Sequence, residues 1–187
     1  LVPLLPLEKI AMLVERIDQP EHREKIASLK QALRQQQIKY FDSGLLPEDM
    51  RNRRAAKHGL TLYELVRDPG LYPLEKYLDA ADLALAADPE DLAVFLKNLA
   101  DPDEGMRWWA INGLKNLGAK AKPAQEQILH AARTDEAQEV RILAAWILHD
   151  LGDTDTYRQV MESIKKTGIQ SKSHYETTIK LVASSSS

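Results

Sequence analysis

The 187-residue sequence contains no cysteine. That absence removes disulfides, thiolate metal ligands and a cysteine nucleophile from anything this chain does by itself. Glycine is sparse, at eight residues, and none stands in the GxGxxG or GxxxxGK[ST] order that cradles a phosphate. The five histidines, His22, His58, His130, His149 and His174, show neither HxxxH nor HExxH spacing, so no helix offers zinc two ligands on one face. The acidic stretch DTDTY lacks the glycine and terminal glutamate of a calcium-binding helix–loop–helix. No cofactor and no metal is therefore expected.

Positive charge is not in excess either. Lys and Arg number 25 against 28 Asp and Glu, a net charge of -3. Proteins that hold nucleic-acid backbones usually present a strongly basic domain, so nucleic acid is only an alternative reading. A long apolar run is also missing. The opening LVPLLPLEKIAMLVERI is interrupted by Pro3, Pro6, Glu8 and Lys9, and it reads as neither a signal peptide nor a membrane span.

What is present is 44% hydrophobic and 28% charged residues, a balance that builds a buried core. The spacing of apolar residues is helical throughout, and the expected class is all-α. Leu7, Ile10, Leu13, Val14 and Ile17 predict a short helix over 7–17. Ile26, Leu29 and Leu33 predict a second, narrow-faced helix from Pro20 to about Tyr40. FDSGLLPEDM then reads as a connector, with Gly44 ending one helix and Pro47 opening the next. Arg51, Arg53, Arg54 and Lys57 follow within seven positions. They could grip an anion, but the expectation is a solvated face complementing the helix dipole. LEKYLDAADLALAA predicts a further helix that stops before Asp88 and Pro89.

From residue 89 the chain repeats itself at an offset of 34. Asp101 falls on Asp135, Met106 on Val140, Arg107 on Arg141, Ala110 on Ala144, Leu114 on Leu148, Leu117 on Leu151 and Gly118 on Gly152, with Val94 on Ile128. Each unit reads as a helix pair: helix A over 90–100 and 122–133, helix B over 104–117 and 137–151. A weaker third unit runs through DTYRQVMESIKK and SHYETTIKLVA, and LYPLEKYLDAADLALA reads as a degenerate earlier one. Such pairs bury a continuous core only by stacking. The expected buried stripe of helix B is Met106, Trp109, Ala110, Gly113, Leu114 and Leu117, matched by Val140, Leu143, Ala144, Ile147, Leu148 and Leu151. Trp108 and Trp146 fall on a second stripe, with Ile142 and Asn112, that faces a neighbouring repeat or a partner.

The pattern DxxxxMRxxAxxxLxxLG and its copy DxxxxVRxxAxxxxxxLG resemble HEAT repeats of the short bacterial kind, since Leu-Gly closes helix B and no tryptophan lies in helix A. The fold that resemblance implies is a HEAT-like α-solenoid. It also implies that Asp101, Arg107, Asp135 and Arg141 form a structural ladder between turns, because an aspartate there accepts backbone N–H groups and an arginine fork binds a carboxylate.

A wider likeness spans about residues 20 to 165. SGLLPE, YELVRDP and LYPLEKYLDAADLA resemble the C-terminal region of bacterial sulfatases of the N-sulfoglucosamine and arylsulfatase-like kind. That resemblance implies three parts: a helical extension over 1–46, the solenoid over 47–183 and a tail over 184–187. Sulfatases carry their reactive residue in a C/SxPxR motif, and no serine here has Pro at +2 and Arg at +4. The chain is accordingly expected to be a non-catalytic accessory module. Its expected partner is a protein, either an upstream sulfatase catalytic domain or another subunit, in a periplasmic or extracellular setting. The alternative is an independent HEAT adaptor or a nucleic-acid module using Trp108, Trp109, Trp146, Arg107 and Arg141.

Overall fold

A computed structural model describes residues 20–185, and the described residues are helices and turns with no strand. The class is all-α. The helix expected over 7–17 lies outside the described residues. The chain divides into two compact units between Phe41 and Asp42, ahead of the expected boundary at 46.

The first unit contributes helix α1, Pro20–Lys39. Its apolar residues are few, and Leu29 and Leu33 are 57% and 60% exposed.

The second unit holds the rest. In order, these are α2 (Glu48–His58), the single turn α3 (Leu62–Leu65), α4 (Leu74–Ala86), a 3-10 turn (Pro89–Asp91), α5 (Leu92–Leu99) and α6 (Glu104–Leu117). A 3-10 segment (Gly118–Ala124) then leads to α7 (Gln125–Thr134), α8 (Gln138–Asp150), α9 (Thr154–Thr167) and α10 (Lys172–Ser185). Local chemistry sets many of the ends. Thr61 and Glu64 form a reciprocal capping box on α3. Asp103 accepts from the Gly105 and Met106 N–H groups at the start of α6, and Asp153 accepts from Thr156 at the start of α9. Gly59 closes α2 in the left-handed conformation, at φ 66°.

The connector is part of the core. Leu45, Leu46 and Met50 are buried, and Gly44 makes its bond to the Asp42 carboxylate instead of ending a helix. Helix α10 continues through Ser184 and Ser185, with the Ser184 hydroxyl donating back to the Leu181 carbonyl.

Helix α5 packs on α6 and α7 on α8, while α6 also packs on α4 and on α8. Helices α9 and α10 both lie against α8. So α8 is covered on nearly every side, and Val140, Ile142, Leu143, Ala144, Ala145, Ile147 and Leu148 are all buried. Ile142 therefore packs inside.

Several positions depart from the expected pattern, Leu151 among them, which is half-buried. In α6 the enclosed large side chain beside Leu114 is Ile111, at 0% exposure, while Met106 and Trp109 are half-buried. The reason is that α6 meets α4, α5 and α8 around most of its girth, which widens the buried arc past the single stripe. Val94 is exposed although Ile128 is fully buried; Phe95 and Leu99 are the buried residues of α5. The two A helices thus run one residue out of step with the register of the B helices.

Candidate functional site

The repeated aspartates and arginines meet at the turns that precede α6 and α8. Arg107, on the first turn of α6, spreads its fork over Asp135: Nε donates to Oδ2 at 2.8 Å and Nη2 to Oδ1 at 3.0 Å. Its Nη1 donates to the backbone carbonyls of Asp101 and Pro102. Asp101 and Asp135 each turn their own loop by accepting an N–H two residues on, from Asp103 and Ala137. Arg141 makes a different bond, from Nε to the Ala132 carbonyl at 3.3 Å. The position one repeat after Asp135 is Ile169, so Arg141 meets no third aspartate there. The Asp135 pair holds Arg107 charged, its hydrogen bond outweighing burial.

Within the basic cluster of α2, Lys57 is exposed as expected, but the three arginines are tied down. Arg51 donates to the Ser43 carbonyl and hydroxyl. Arg53 makes a two-pronged bond to Glu139, both contacts 2.8 Å, and the Glu139 side chain is fully enclosed. Arg54 donates to the Leu71 carbonyl, the Tyr77 hydroxyl, Asp103 and Glu104. Tyr77 in turn donates to Asp103 at 2.8 Å, and burial pushes its phenol far above the usual range. Two acidic helix starts thus pull Arg53 and Arg54 inward, and of the four cations Lys57 keeps the solvated position expected of it. For Glu139, burial works to raise the pKa, but hydrogen bonds from Arg53, its own backbone N–H and Ser171 hold it below 4.5.

The start of α10 closes over this junction. Gln138 donates to the Gly168 carbonyl and accepts from the Gln170 N–H, both at 2.8 Å. Ser171 lies 3.4 Å from Asp49 and 3.1 Å from Nδ1 of His174, whose ring stands edge-on to Trp108 at 5.0 Å between centroids. Asp, Ser and His together invite a hydrolase reading, which the geometry rejects. The serine, not the histidine, is the middle member, and Ser171 is fully enclosed.

Burial lowers the pKa of His174 below 6.5, against the pull of Glu139 from α8 and Asp49 from α2. A histidine folded as its neutral form contributes fully above 6.5 and loses that contribution as pH falls through its folded pKa. The urea midpoint of the chain is therefore expected to drop as pH is lowered from 7 to about 5. His174→Gln should flatten that drop, and an unchanged pH profile in the variant would remove His174 as its source.

The two tryptophans of the second stripe have different surroundings. Trp108 is half-buried under His174 and its carbonyl accepts from Asn112. Trp146, also half-buried, carries the Lys115 ammonium 4.1 Å above its ring, and Lys115 also pairs with Asp150 at 2.8 Å. A cation held over an indole face, with a carboxylate beside it, is an amphipathic surface suited to protein contact. Trp109 keeps its indole N–H buried without a hydrogen-bond partner.

Sequence reasoning missed Tyr77, Glu139 and Lys115. Glu139 aligns with Gly105 in the other repeat, so the register itself concealed it. Among the described residues no three His, Asp or Glu side chains converge as metal ligands, and no helix is long and apolar enough to cross a membrane. No protein-family model, no curated protein and no solved structure matches this chain.

Proposed function

We propose that this chain is a HEAT-like α-solenoid that acts as a non-catalytic, protein-binding module, forming the C-terminal part of a sulfatase-like protein. The observation that carries the binding reading is the Trp146–Lys115–Asp150 surface on two successive B helices, beside a set of acids and bases that all serve packing. Support for stacked repeats comes from the pairing of α5 with α6 and α7 with α8, the packing of α6 on α8, and the Arg107–Asp135 clasp between their turns. The sulfatase part of the reading rests on SGLLPE and its neighbours in the sequence.

The nucleic-acid alternative draws on Arg107 and Arg141. Arg107 is spent on the Asp135 carboxylate and Arg141 donates to the Ala132 carbonyl, which leaves little positive surface to lend to a phosphate backbone.

The test uses the full chain and the sulfatase-like domain expected upstream in its reading frame. The two should bind, and Trp146→Ala should weaken binding by about tenfold or more, as expected for an interfacial tryptophan. Turnover of an aryl sulfate by this chain alone, or tight salt-sensitive binding to DNA, would contradict the proposal.

A further inference from the structure

On the side of the repeats formed by the A helices, a groove of about 650 Å³ runs between α5 and α7. We infer that it takes a short segment of a partner protein in which a large apolar side chain stands next to lysine or arginine. This rests on the protein-binding reading and names a surface separate from Trp146.

The floor is apolar: Leu96 and Leu99 come from α5 and Ala131 from α7. An aliphatic or aromatic side chain laid there would leave water without stranding any polar group of the floor. Arg107, the one arginine in a wall that also holds the exposed His130, is already clasped by Asp135, and the two paired side chains are only 14% and 5% exposed. It therefore cannot offset the charge at the mouth. Glu126, on the first turn of α7, and Glu136, in the turn before α8, both line the opening and are exposed, and no lysine does. Together these make an anionic rim around an apolar floor. Acidic peptides and phosphate backbones are disfavoured there by charge, and a basic residue flanking the apolar anchor is favoured.

Shape argues for a chain-like occupant. A second cavity of about 450 Å³, lined by Lys57, His58 and Leu71, shares Pro102, Arg107 and Glu136 with the first. Arg53 and Arg54 also line that second cavity, so the basic residue of the segment belongs at the Glu126 end of the first groove and the rest of the segment runs toward the second.

The test is selection of a randomised peptide display library on the full chain, followed by titration of synthetic copies of the selected peptides. Selected peptides should carry Lys or Arg beside Leu, Met, Phe or Trp. The double variant Glu126→Lys/Glu136→Lys changes only exposed positions and should weaken such a peptide roughly tenfold, with a Glu-for-Lys peptide regaining the loss. Failure to enrich any peptide would overturn the groove assignment, as would binding that ignores the double reversal. Peptides that lose affinity in Trp146→Ala but not in the double variant would overturn the groove and leave the protein-binding reading standing.

Discussion

Replacing Arg53 by Met is expected to destabilise the chain by about 3 kcal/mol, because it strips the partner from a buried carboxylate. Glu139 sits fully enclosed on α8 and is held by both prongs of the Arg53 fork. The Arg53 side chain is 32% exposed, so water softens the loss and the lower end of the range for a broken buried pair applies. Glu139→Gln should cost less, since an amide in a buried site carries no charge to desolvate. The double variant Arg53→Met/Glu139→Gln should recover much of the loss, and the cycle measures the coupling.

The pH dependence has a definite sign. In the wild type Glu139 titrates below 4.5, so the pair's contribution is present above that pH and is lost as pH falls through the lowered value. In Arg53→Met, burial is left without its main opponent and Glu139 protonates more readily. The gap between variant and wild type should therefore narrow as the solution is acidified toward and below 4.5. Urea titrations at several pH values read both effects, and a gap that does not change with pH would remove Glu139 as the cause.

Gly113→Val is expected to cost about 3 kcal/mol or more, and Gly113→Ala about 2, in spite of the gain in helix propensity of about 1 kcal/mol that removing a mid-helix glycine brings. A Cβ at Gly113 would overlap the Phe95 ring, lying 2.6 Å from both Cδ1 and Cζ. Phe95 is 1% exposed, so the ring has nowhere open to move. Here α5 and α6 approach through a phenyl ring laid on bare backbone. Gly113→Ala combined with Phe95→Leu should restore part of the loss, which thermal unfolding would show. If Gly113→Ala alone raises stability, the contact between these helices is looser than described.

These two sites also show what the sequence makes legible. Helical spacing, the Leu-Gly ends and the aspartates before each B helix locate α5 to α10, because those signals are local. Helix α6 begins and ends at the expected residues, 104 and 117. Long-range pairings are another matter. Arg53 and Glu139 lie 86 positions apart, and each has a sufficient local explanation, Arg53 as one of a run of cations on its helix and Glu139 as the acidic start of its own. Gly113 reads as a weak point in a helix until Phe95 is seen against it. Trp108 and Trp146 share a stripe in the sequence, but only the fold distinguishes them: the last helix supplies His174 to one, and Lys115 covers the other.

The proposed function has the chain packing its B-helix surface against a protein. The most direct measurement is hydrogen exchange on the protein encoded by the complete reading frame, compared with exchange on residues 1–187 alone. A sulfatase-like domain is expected upstream, with slower exchange in the longer protein in the stretches of α6 and α8 around Lys115 and Trp146, and no change in the buried stretch of α4 around Leu78, Ala81 and Ala84. A frame without such a domain, or identical exchange across α6 and α8 in the two proteins, would contradict it.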